Sequence, residues 1–209
     1  MRQLTPHLNT AVTASVLAAL VTFVPGTVRA EGIIKHPGDH PKYSVELEPH
    51  GLLDWDGYYW GGTGYGLGMH AAIPIVDNGP VSTINNNMAI GFGLDWSHFS
   101  ENNCVFVGGG VVINGNICNA SMNSLRFPVY AQWNFFFTKV VGVLAEAGFG
   151  IYHSWYSFDT NVACPGCSYS HTSAFPYFEG GGRFLFGDSI GVLVRIGYPF
   201  LTVGATFLL

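Results

Sequence analysis

Charge is what this chain has least of. Asp, Glu, Lys and Arg together make up 10% of 209 residues, where globular domains carry about a quarter. Only eight Lys and Arg stand against thirteen acids, so there is no basic surface with which to neutralise phosphates, and nucleic acid is excluded as a partner. Glu, Lys and Arg are too few to write a coiled coil or a long solvated helix. Disorder is excluded as well, because 15% of the chain is aromatic and disordered segments are poor in such residues. Cysteine is limited to four. After residue 30 there is no uncharged apolar run of helix-spanning length. The best stretch, Val140 to Tyr152, is interrupted by Glu146, Gly142, Gly148 and Gly150.

The first thirty residues read as an export address. Arg2 is the only full side-chain charge in Met1 to Thr10, AVTASVLAALVTFV follows at Ala11–Val24, and Val28-Arg29-Ala30 places small residues where a signal peptidase reads. This layout predicts a cleavable signal peptide over 1–30. The next segment, EGIIKHPGDHPK at 31–42, is expected to be a flexible periplasmic leader. It carries His36, Asp39 and His40, but Pro37, Gly38 and Pro41 point to a tether rather than to a ligand set. No metal site and no cofactor is read from the sequence.

Glycine is abundant, 28 residues, and is mixed with Val, Phe, Tyr and Thr. That mixture predicts strands and turns. Eight segments of about the length a tilted strand needs to cross a bilayer can be placed: Tyr43–Trp55, Gly62–Ile73, Met88–His98, Ser124–Phe137, Val140–His153, Ala174–Phe186, Ile190–Tyr198 and Phe200–Leu209. Alternate positions of a strand face opposite sides, and here the two sides differ sharply. In IGVLVRIGY, Ile190, Val192, Val194, Ile196 and Tyr198 oppose Gly191, Leu193, Arg195 and Gly197. In the second segment, Tyr65, Leu67, Met69, Ala71 and Ile73 oppose Gly64, Gly66, Gly68 and His70. The first segment is less regular because of Pro49 and Gly51, yet Val45 and Leu47 still oppose Glu46 and Glu48.

No Asp, Glu, Lys or Arg falls in the apolar register; every strand charge shares a face with glycine. A soluble sheet would show water a charged face rich in Lys and Thr. Glycine beside charge suits the interior of a narrow closed barrel, where small positions make room for large ionised neighbours. The aromatic, aliphatic face then meets lipid, where one charge at mid-bilayer costs roughly 2–4 kcal/mol. Closure also satisfies every backbone polar group, as hydrocarbon requires. The reading is all-β: an eight-stranded antiparallel transmembrane up-and-down barrel over 43–209. Connections agree, with short inner turns at Thr138-Lys139 and Gly187-Asp188-Ser189 and long outer ones at Ser100–Asn123 and Ser154–Ser173. Pro74–Asn87 breaks the pattern by being long on the inner side.

The glycine-rich second segment, the GFGLDW of the third, the RFPVYAQWNFFF–TK–VVGVLAEAGFG hairpin and the closing RIGYPFLTVGATFLL resemble the small eight-stranded outer-membrane barrels, the superfamily of the OmpA transmembrane domain and OmpX. The resemblance covers Tyr43 to the end of the sequence. It implies residence in the bacterial outer membrane as a monomer, with outer-membrane lipid and the insertion machinery as partners.

Glu46, Glu48, Asp95, Glu146 and Glu179 fall on the inner register with Arg126, Arg183 and Arg195. An unpaired charge in such a place costs several kcal/mol, so an internal ion-pair network is expected, within a core filled by its own side chains. Cys104, Cys118, Cys164 and Cys167 all fall in outer connections. They imply an oxidising compartment, and local pairs, 104 with 118 and 164 with 167, are favoured over the two other pairings. The function expected is non-enzymatic: a barrel whose stapled loops serve envelope integrity, adhesion or capture of an extracellular ligand. Two alternatives stand beside it. A lipid-modifying esterase or acyltransferase would draw on His153-Ser154, and a narrow ion-conducting pore would draw on the inner charges. A soluble lipocalin-type barrel, with its apolar face inward, ranks last.

Overall fold

The computed structural model describes residues 32–55, 63–101, 118–160 and 169–209. They form eight strands: β1 (Glu46–Asp54), β2 (Gly64–Val76), β3 (Asn86–Glu101), β4 (Cys118–Phe136), β5 (Val141–Thr160), β6 (Tyr169–Leu185), β7 (Ile190–Tyr198) and β8 (Phe200–Leu208). Each pairs antiparallel with the next, and β1 pairs with β8, so the sheet is a closed barrel. Closure leaves no strand edge. The seam runs from Glu46 opposite Leu208 to Asp54 opposite Phe200. The last residue extends it, because the amides of Ser44 and Val45 donate to the Leu209 carbonyl at 2.5 and 3.1 Å. Among the described residues no helix is long and apolar enough to cross a membrane.

The alternation read from the sequence is the alternation of the walls. Leu67, Phe149, Phe186 and Ile196 point outward and are 63–68% exposed, whereas Tyr177 and Leu193 point inward and are 0% exposed. An apolar exterior around a charged interior is the reverse of a lipocalin-type barrel, which removes that alternative. Two interruptions of the ladder fall at prolines, which offer no N–H. Pairing of β1 with β8 skips Glu48 and Pro49, and pairing of β3 with β4 skips Phe127 and Pro128.

Five strands run farther than their sequence pattern suggested, β2 and β3 by two or three residues at an end and β4, β5 and β6 by more. Residues Cys118–Asn123, Ser154–Thr160 and Tyr169–Ser173, read as loop, continue the ladder above the apolar belt, with His98 opposite Asn123 and Ser154 opposite His171. There Ser, Asn, Asp and Thr are interspersed with Met122, Trp155, Tyr156 and Phe158, so no two-residue period marks the ribbon. At the other end, residues 32–42 are not a free tether. Ile33 and His40 are buried. The Ile33 amide donates to the Phe137 carbonyl at 2.8 Å, and the Asn85 amide donates to the Ile34 carbonyl at 2.7 Å. His40 stacks on Phe136, ring centroids 5.0 Å apart, and its Nε2 hydrogen-bonds the Asp77 carbonyl at 2.7 Å. The long inner connection joins this cap: Asn86 Nδ2 donates to the carbonyls of Val81 and Ile84, and Trp133 Nε1 donates to Asn86 Oδ1 at 2.9 Å. Leader and connection together close the inner mouth through these backbone and side-chain hydrogen bonds.

Candidate functional site

The inner register of a narrow barrel brings side chains from all eight strands to one axis, and six carboxyl groups and three arginines are buried there among the described residues. The arginines and four of the carboxyl groups form three arginine-centred clusters stacked along the barrel. Toward the outer end, Arg126 on β4 reaches across to Asp54 on β1. Ser97 on β3 completes that group, its hydroxyl donating to Asp54 at 2.7 Å and accepting from Arg126 at 2.9 Å. The Phe200 ring lies under the guanidinium, 5.0 Å away, a cation–π contact.

In the middle, Arg195 on β7 grips Glu48 on β1 through both terminal nitrogens, one at 2.5 Å. Its Nε faces Glu146 on β5 at 3.1 Å, and the Tyr177 hydroxyl donates to the other oxygen of Glu146 at 2.9 Å. Toward the inner mouth, Arg183 on β6 pairs with Glu46 on β1. Glu46 also accepts from Thr206 at 2.8 Å and from Gln132 at 3.1 Å. From Gln132 a chain of amides runs through Asn134 and Asn87 to the Tyr43 hydroxyl. A planar guanidinium with fixed donors suits such a crowded place better than an ammonium.

Two of the acids singled out in the sequence are not bridged by arginine as expected. Asp95 is held by two imidazoles, His50 Nε2 at 2.9 Å and His70 Nε2 at 3.1 Å. Glu179 lies directly opposite Glu146 on the neighbouring strand, buried, and neither of its oxygens has a hydrogen-bond partner among the described residues. The reason is steric: Arg195 is already committed to Glu48 and Glu146, and the residue facing Glu179 from β7 is Gly197.

Sequence reasoning missed three members of the interior: Asp54, His50 and His70. Asp54 and His50 lie beyond the irregularity at Pro49 and Gly51, although both keep the even register of β1 that already carries Glu46 and Glu48. His70 stood in the glycine register but was not counted as a charge partner.

Elsewhere the structure separates residues that adjacency suggested together. His153 faces outward, exposed, with Nδ1 2.7 Å from Thr172 Oγ1. Ser154 is buried inside, 3.1 Å from Ser124 Oγ. They form no nucleophile–base contact. His36 and Asp39 meet at 3.5 Å on the exposed surface of the cap. Cys104, Cys164 and Cys167 lie outside the described residues, and with them both expected disulfides; Cys118 opens β4.

No protein-family model matches the chain, and no curated protein does. Among solved structures it is similar to Ail, the attachment invasion locus protein of Yersinia pestis, crystallised with the heparin analogue sucrose octasulfate. The match is 13% identical with a TM-score of 0.45 and covers 80% of this chain and 99% of that one. Ail crystallised without the analogue gives 13% identity, a TM-score of 0.44 and the same coverage. The backbone structure of Yersinia pestis outer membrane protein Ail in a phospholipid bilayer nanodisc gives 13% identity and a TM-score of 0.39, covering 80% of this chain and 100% of that one.

Proposed function

We propose that this chain is exported by its first thirty residues and resides in the bacterial outer membrane as a monomeric, non-enzymatic barrel whose external loops make its contacts, in adhesion or envelope integrity. The observation that carries the reading is the inverted wall: a closed barrel with apolar side chains outward and paired charges within. In water that arrangement wastes the hydrophobic effect; in acyl chains it satisfies both faces.

The loop composition narrows the partner. Segments 55–63, 101–121 and 157–170 contain no Lys or Arg, while Trp55, Tyr58, Tyr59 and Trp60 crowd the first and a Val- and Gly-rich run occupies the second. Without cations, the loops suit uncharged or apolar surfaces rather than polyanions. Pairing of 104 with 118 and 164 with 167 would hold two of these loops compact, and peptide mapping without reductant reads it directly.

The test begins with fractionation. The protein is expected to stay with the membrane until detergent is added and to run at a heat-shifted position on gels. A chain monodisperse in plain buffer overturns the placement. Cells displaying the full chain are then compared with cells displaying one whose residues 105–113 are replaced by a Gly-Ser linker. Attachment to an uncharged surface is expected to fall in the second, and unchanged attachment with equal display overturns the loop role.

A further inference from the structure

His50, His70 and Asp95 come from three neighbouring strands and meet in mid-barrel, all buried. Their ligand-type atoms lie within 4.8 Å of one another. Each imidazole presents Nε2 to the shared carboxylate, and each has Nδ1 engaged behind it. His50 Nδ1 is 3.2 Å from the Glu48 carbonyl, and His70 Nδ1 is 3.2 Å from the Tyr130 hydroxyl. Anchoring of the rear nitrogen by a carbonyl or hydroxyl is how histidines are oriented when the front nitrogen binds a metal.

The space around the cluster is held open by glycine. A Cβ at Gly68 would stand 2.0 Å from an Asp95 oxygen and 2.4 Å from His50 Nε2, and one at Gly93 would stand 2.1 Å from the His70 ring. Charge points the same way. Six buried carboxyl groups face three buried arginines, and Asp95 carries only imidazole partners among the contacts described above.

We infer that His50, His70 and Asp95 form a binding site for one divalent transition metal of the zinc type inside the barrel, tying β1, β2 and β3 together. Two imidazoles and one carboxylate are a donor set zinc accepts, with a fourth position left for water or a neighbouring oxygen. Ligands of a tetrahedral zinc lie about 3.4 Å apart. The two histidine–carboxylate edges, 2.9 and 3.1 Å, are already within that reach, and a small rotation of two rings 4.7 Å apart closes the third. Enclosure on every side places loading at the folding step, as coupled metal binding and folding allows.

The full chain, refolded in detergent with Zn²⁺ or Co²⁺ and then passed through a chelating column, is measured for metal content and visible absorption. About one equivalent per folded, heat-modifiable barrel is expected, with cobalt bands of low coordination number and two imidazoles in the zinc X-ray absorption shell. His70→Asn and Asp95→Asn are expected to lose the metal. Tyr130→Phe, which removes only the hydroxyl behind His70, is expected to weaken binding about 10–100-fold. His36→Ala, on the exposed cap, is expected to keep it. A folded wild-type barrel that retains less than about a tenth of an equivalent overturns the proposal, as does loss of the metal in His36→Ala. Should the ligand variants fail to fold, the wild-type absorption shell decides: a shell without imidazole overturns it.

Discussion

Arg195 is the residue on which the interior turns. It lies 1% exposed between Glu48 and Glu146 and is the largest of the fully buried side chains. Replacing it with Met would keep much of its volume and strand two buried acids. Breaking a buried pair in this way costs about 3–5 kcal/mol. Urea unfolding of Arg195→Met in detergent micelles is therefore expected to show a loss of that size, and a midpoint unchanged from wild type would mean the contacts contribute nothing. At this scale the sequence disclosed most of the charged side chains that face inward, because register decides that, and lost Asp54 and His50 past the irregularity at Pro49 and Gly51. It did not disclose partners. Asp54 pairs with Arg126, which is 72 positions away, and no local pattern encodes a meeting across the barrel axis. The histidines escaped notice for a related reason: imidazole in a glycine register carries no distinctive period, and its importance depends on what lies opposite.

At the scale of the strand, two rules compete. The two-residue period makes a strand visible only where its faces meet different media, so β7 (Ile190–Tyr198) was legible to the residue. The outer part of β5 was not, since Ser154 to Thr160 interleaves Trp155, Tyr156 and Phe158 with Ser, Asp and Thr in no two-residue period. The belt itself can be tested by depth. Phe92, outward on β3 and 49% exposed, pairs with Ala71 and Val129 near mid-height, whereas Phe186 lies just past β6, at the turn into β7. Phe92→Arg is expected to destabilise the barrel in lipid by roughly 2–4 kcal/mol and Phe186→Arg by at most about 1 kcal/mol. Equal costs in reversible unfolding from vesicles would contradict a membrane centred on Phe92. The turn carries its own constraint. Gly187 adopts φ +117°, a conformation open to glycine and strained for other residues.

For the whole molecule, the question raised by so many inner charges is whether they line a path or fill a core. Tyr177, Leu193, Phe136 and Phe200 are fully buried beside Arg195 and Gln132, and the cap of residues 32–42 closes over the inner end. Eight strands enclose just enough room for side chains. Planar bilayers containing the purified barrel are expected to show no steady unitary current, and reproducible single-channel steps would restore the pore alternative.

Composition and two-residue periodicity were sufficient to specify an inverted closed barrel, its strand order and, where the period is regular, the side a residue faces. All of these follow from local spacing along a pleated chain and from the aversion of lipid to charge. What only the tertiary structure decided is which inner groups touch. It gave Asp95 to two histidines, left Glu179 facing Glu146 without a hydrogen bond, and folded the supposed tether back as a plug. Those outcomes depend on the stagger of strands around a closed ring, which brings distant positions to one level and which no single stretch of sequence contains.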